Sequence, residues 1–224
     1  SGDWSSDVCS SDLLFQSSSS EGPSGPTLMQ NMVGEQRIPF ESDLYQAGID
    51  QFRSNLDLLL SRYAKEEIPV FIGTIVSNER DHAPFLSGAS SVEDMQLARE
   101  QVRGALSLLA AGDSLAARRS LDETVAAFPE FAAAWYARAQ LTDAMGDLES
   151  AARDYREARL RDELRFRGPD AINDVIRDMA TKHGAILVDT EAAVRRASPD
   201  GIPGSIMMLE HLHPTIQGYF VLAD

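Results

Sequence analysis

Gly112-Asp113 and Gly146-Asp147 lie 34 residues apart, and the residues around them keep the same offset. Ala105 aligns with Ala139, Ala117 with Ala151, and Leu121 with Tyr155. Small and large apolar residues thus recur at fixed places on either side of a Gly-centred turn. That pattern predicts two helix–turn–helix units over residues 92–165, with Pro129 closing the first and Trp135 opening the second. Two units of this kind leave apolar surface uncovered, so they must lean on flanking sequence.

The flanks carry a different period. Between Leu44 and Tyr63, the apolar residues Ile49, Phe52, Leu56, Leu59, Leu60 and Tyr63 follow helical spacing. The run Ile68–Val76 is short, β-branched and not alternating, which predicts a strand buried on both faces of a parallel sheet. After the helical units, Ile172, Val175, Ile176 and Met179 predict a second flanking helix, with Gly184 as its C-cap. Ala185-Ile186-Leu187-Val188-Asp189 then predicts a second buried strand. Helix followed by buried strand, twice over, is the α/β pattern. The expected fold class is α/β: one discontinuous domain, residues 27–91 and 166–224, with the helical pair 92–165 inserted in a loop.

Polar loops at the carboxyl ends of parallel strands are where α/β proteins place their sites. Ser77-Asn78-Glu79-Arg80-Asp81-His82 follows the first strand, so Asn78, Arg80 and His82 are candidate substrate-lining residues, the alternative being an exposed loop. Turn residues at Pro199-Asp200-Gly201 and Pro203-Gly204 lead to Glu210-His211-Leu212-His213-Pro214. A carboxylate three residues before an imidazole can accept its Nδ1–H, set the tautomer and leave Nε2 to take a proton from a hydroxyl. His213 and Glu210 are the catalytic candidates, with His211 expected as a solvent-side neighbour. Pro214 is expected to open a last helix carrying Ile216, Tyr219, Phe220 and Leu222.

This last block resembles the Asp-x-x-His-Pro block of the SGNH (GDSL-type) hydrolases, with Glu210 in place of Asp. The resemblance implies a flavodoxin-like three-layer parallel sheet, of which this chain would hold the later part. It further implies ester hydrolysis or acyl transfer by a serine nucleophile. In that scheme His213 is the general base and Glu210 orients its ring, the extra methylene of Glu changing the angle of approach. Substrates would be small acyl esters or acylated carbohydrates, with no cofactor. Relatives with this arrangement are often exported or membrane-tethered in bacteria. The helical units similarly resemble two tetratricopeptide repeats, which implies a protein partner bound through them. They depart from that pattern at Gln101 and Gly104, where Trp and Leu are usual, and at Arg138, where Leu is usual. Residues 112–115 spell Gly-Asp-Ser-Leu, but their partner 34 residues on is Gly146-Asp147-Leu148, so an inter-helix turn is expected there and Ser114 is not taken as the nucleophile. No strand followed by Gly-Asp-Ser precedes residue 92. The nucleophile is therefore expected to be missing from this chain, and the alternative to an enzyme is a non-enzymatic repeat scaffold.

Residues 1–13, SGDWSSDVCSSDL, read as the translation of a ligated sequencing adapter, and residues 14–26 as a disordered Ser/Gly/Pro-rich linker. Cys9, the only cysteine, falls in the first of these, so cysteine usage says nothing about redox compartment. Both ends are expected to be truncated. The net charge of −15 leaves no basic surplus for a nucleic-acid backbone. No apolar run approaches the roughly 18 residues of a membrane span. No metal site is expected, because His211 and His213 lie two apart and have no cysteine to help them. No Gly-rich loop follows either strand, which argues against a nucleotide site. Arg159, Arg161, Arg165 and Arg167 concentrate positive charge, read as a solvated face paired with nearby acids or, alternatively, as an anion-capturing patch.

Overall fold

A computed structural model of the chain describes residues 37–223; the expected tail and linker, residues 1–13 and 14–26, and Cys9 lie outside the described residues. In chain order the elements are α1 (Asp43–Lys65), β1 (Phe71–Gly73), α2 (Val92–Ala110), α3 (Ser114–Ala127), α4 (Ala132–Ala144) and α5 (Leu148–Leu160). There follow α6 (Asp170–His183), β2 (Ile186–Val188), α7 (Thr190–Ala197), a 3₁₀ turn (Pro199–Gly201) and α8 (Ile216–Ala223).

The 34-residue spacing has a local cause. Gly112 and Gly146 adopt φ of +86° and +80°, the left-handed conformation that ends one helix and that other residues reach only with strain. Asp113 and Asp147 then cap the next helix, accepting the N–H of Ala116 (2.9 Å) and Ser150 (3.2 Å). Helices α2 and α3 pack as one hairpin and α4 and α5 as another. Ala105, Ala117, Ala139 and Ala151 are fully buried, which lets the helix backbones approach closely. Arg138 stands where an apolar residue was expected because α4 is held ionically here. Its Nε and Nη2 donate to Asp154 of α5 (2.7 and 3.0 Å), and its Nη1 to Asp122 of α3 (3.0 Å).

The flanks do form helix–strand pairs. Helix α1, capped by Ser42, and α6, ended by Gly184, pack through Ile49, Leu56, Leu60, Val175, Ile176 and Met179. Leu59 and Tyr63, placed on that face by spacing, are exposed instead. Strands β1 and β2 pair in parallel with Phe71 opposite Ile186 and Gly73 opposite Val188. The expected flavodoxin-like three-layer sheet is overturned: among the described residues the chain is mostly helical, and this pair of three-residue strands is its whole sheet. The strands are not buried on both faces either, since Phe71 is 69% exposed and Ile186 48%. Helices α1 and α6 cover one side through Val70, Ile72 and Ala185, and among the described residues no second layer covers the other, where Phe71 is exposed. Beyond Thr74, whose N–H still donates to Val188 O (3.1 Å), the ladder is taken over by a side chain. Asn173 of α6 accepts the N–H of Ile75 (2.7 Å) and donates to its carbonyl (2.8 Å), which ends the strand. Among the described residues, no helix is long and apolar enough to cross a membrane.

These exposures predict opposite outcomes for the buried Leu60 of α1 and the exposed Phe71 of β1. Leu60→Ala should cost about 2–5 kcal/mol in urea unfolding. Phe71→Ser should change stability by no more than about 0.5 kcal/mol. A loss of several kcal/mol for Phe71→Ser would mean a covered strand.

Candidate functional site

The segment 206–215 is a tight loop anchored from below. Met207 and Met208 are buried against Val194 of α7. Leu209 N–H donates to His213 O (2.7 Å) and Thr215 N–H to Met207 O (2.9 Å), which closes the loop around residues 210–212. The last helix starts at Ile216 rather than Pro214. Thr215 caps it, its hydroxyl accepting the N–H of Gly218 (3.1 Å). Gly218 is required there, since a Cβ would lie 2.3 Å from Met207 O.

Within this loop Glu210 folds back over its own backbone. Its carboxylate accepts the N–H groups of His211, Leu212 (3.3 Å) and His213 (2.9 Å). Oε1 also meets Nδ1 of His213, and Oε2 meets Nδ1 of His211. The added methylene of Glu supplies the reach to serve both rings. Partial burial raises the pKa of Glu210, but the hydrogen bonds from the His213 ring and from the His213 and His211 backbones outweigh it and hold the carboxyl at about 2.

The two histidines exchange the places expected of them. His211 is the inner ring, packed against Phe85 (5.3 Å between centroids), His82 (5.6 Å) and Phe166 (5.9 Å). His213 is the outer one, its side chain 66% exposed. With Nδ1 turned to Glu210, the chemistry available to His213 is proton transfer at Nε2.

The loop after β1 lies alongside. Asn78 N–H donates to His211 O (3.0 Å), and Glu79 and Arg80 N–H to Pro203 O (2.9 and 3.1 Å), so the acid–histidine loop sits by the segment leaving the carboxyl end of β1. The three expected lining residues fare differently. The Asn78 side chain is buried and caps its own turn, accepting Asp81 N–H (2.9 Å). Arg80 turns away to Asp143 of α4 (3.1 Å) and Asp200 (3.0 Å), and its carbonyl accepts the hydroxyl of Tyr136 (2.8 Å). His82 stays beside the site. Burial, and then the charge of Arg167, push its imidazole below its ordinary pKa.

The basic run pairs with nearby acids as expected, but Arg159 and Arg167 do so out of solvent, and it is no open anion trap. Arg159 and Arg167 are buried, the first on Glu79 (3.0 Å) and Asp170, the second on Asp162 (2.9 Å). Glu79 is fully buried as well; desolvation raises its pKa, and Arg159 and Arg195 more than reverse that. Sequence reading missed Glu79, Phe85 and Phe166, because their partners lie far off in the chain and no local pattern marks them. It also passed over Ser77, which with Phe166, Leu212, Pro214 and Leu222 lines a cavity of about 360 Å³. Among the described residues, no group of three or more His, Cys, Asp or Glu side chains could hold a metal ion. Gly112 and Asp113 form the turn between α2 and α3, and Ser114 and Leu115 are the first residues of α3.

Comparison of the chain with protein-family models, with curated proteins and with solved structures finds no match.

Glu210 makes stability depend on pH in a defined window. Its folded pKa of about 2 lies below the roughly 4.3 of an unfolded Glu. Its contribution is therefore complete above pH about 4.5 and is lost as pH falls to about 2. Because the side chain is a third exposed, the contribution is screened by solvent. Glu210→Gln should flatten the fall of unfolding free energy in that window, as read by urea titrations at stepped pH.

Proposed function

We propose that this chain carries the histidine-bearing part of a serine ester hydrolase or acyltransferase, resembling the SGNH hydrolases in its site rather than in its sheet. His213 is the general base, Glu210 orients its ring and stabilises the imidazolium, and the attacking serine comes from sequence other than residues 37–223. One observation carries the reading: the acid three residues before His213 engages its Nδ1, leaving Nε2 on an exposed ring. In the reaction, Nε2 takes the proton of the serine hydroxyl as its oxygen attacks the ester carbonyl. It then returns that proton to the departing alkoxide. Small acyl esters or acylated carbohydrates are the proposed substrates.

A second reading makes the chain a scaffold whose helical hairpins bind a partner. The exposed Leu97 on α2 and Leu115 on α3 speak for it.

Fluorophosphonate should label no serine in this chain, and p-nitrophenyl acetate should be hydrolysed no faster than by free imidazole. Labelling of Ser77 would overturn the absent nucleophile. In a reading frame that extends this sequence with a strand followed by Gly-Asp-Ser, esterase activity is expected, and His213→Ala should lower kcat about 10²–10⁴-fold. An extended frame without such a serine would favour the scaffold.

A further inference from the structure

Arg167, in the segment between α5 and α6, forms an ion pair with Asp162, two residues past the end of α5, and both side chains are 2% exposed. The guanidinium serves three oxygens. Nη2 donates to Asp162 Oδ2 (2.9 Å), and Nη1 donates to the carbonyls of Asn78 (3.0 Å) and His82 (2.9 Å). Asp162 in turn accepts the N–H groups of Phe85 (2.9 Å) and Leu86 (3.0 Å). A single ion pair thus grips the segment 78–86 at both ends. That segment meets the acid–histidine loop at the Asn78 N–H to His211 O bond and where His82 and Phe85 pack on the His211 ring. His211 then shares the carboxylate of Glu210 with His213.

Stability alone explains this pair poorly. Burial pulls the guanidinium below its ordinary pKa, and Nε is a buried donor with no hydrogen-bond partner. Apolar side chains of the same volume often hold such elements together at least as well as a buried ion pair. What they lack is direction: a planar fork sets the angles of several oxygens at once, which neither a hydrocarbon nor a point-like ammonium can do.

We propose that Arg167, with Asp162, is a positioning residue for the acid–histidine pair, holding the Asn78 and His82 carbonyls so that His211, and through Glu210 also His213, keep their orientation. The proposal rests on the reading of His213 as a base. It makes the end of the second helical hairpin part of the site's support.

The test is NMR of the full chain with ¹⁵N-labelled histidine at pH 8 and a ¹³C titration of Glu210. The expected wild-type spectrum has His213 mainly in the Nδ1–H form. Asp162→Asn with Arg167→Met removes both charges and should shift that ring at least halfway to the tautomer mixture of free histidine. It should also raise the Glu210 midpoint by about one unit or more. Arg167→Lys keeps the charge and is expected to rescue less than half of either change; it decides the matter alone if the double variant does not fold. Val175→Ala, in the α1–α6 core, should lower the melting temperature and move neither signal. The proposal is overturned if the double variant or Arg167→Lys retains the wild-type tautomer and midpoint, or if Val175→Ala shifts them equally. A wild-type His213 that already shows the free-histidine mixture would overturn the base reading as well, so the two failures can be told apart.

Discussion

The buried carboxylate of Glu79 is the tie on which the rest of the structure hangs. It comes from the loop after β1 and is met by Arg159 of α5 at 3.0 Å and by Arg195 of α7 at 2.7 and 2.9 Å. Arg159 also reaches Asp170, the first residue of α6. Three helices thereby converge on one loop. Taking these charges out of water is costly, and removing one partner of such a cluster costs on the order of 3–5 kcal/mol because the other charges stay buried. The cluster fixes where the loop runs, and the loop fixes what can stand beside it.

That arrangement explains how so small a sheet persists. Two three-residue strands with one face open are marginal by themselves. Here the α1–α6 core supports one face, and Asn173 satisfies the backbone of Ile75 where a longer ladder would otherwise continue. Asn173 also donates to Glu191 (2.9 Å), which accepts from Arg195 (3.2 Å), so the strand's end is wired into the same cluster. The helical hairpins belong to this wiring as well. Tyr136 and Asp143 of α4 hold Arg80, and the N–H of Ala133 donates to Ser87 (3.0 Å). They bear on the site loop along much of its length.

The acid–histidine loop inherits its place from that frame and its chemistry from four residues. Glu210 is saturated by three backbone N–H groups and two imidazoles, which is why it stays ionised well below the usual carboxylate range. An ionised acid fixed on Nδ1 is what a histidine base needs. The sequence showed this constellation because acid and ring lie within one turn of chain. It did not show which histidine faces out. That depends on Phe85 and Phe166, whose rings meet edge to face at 5.4 Å across a long stretch of sequence and pack against His211.

The sequence by itself determined what depends on near neighbours: helices placed by apolar spacing, ends set by Gly112, Gly146 and Gly184, and the Glu210–His213 pairing. These follow from bonds between residues three or four apart. Only the tertiary structure decided whether the β-branched runs would be covered and whether the arginines after α5 would face water. The same Ile186-Leu187-Val188 suits a core strand or an open one, and what separates the two is whether a second layer exists to remove it from solvent. Burial is a property of the assembled surface, and no residue carries it alone.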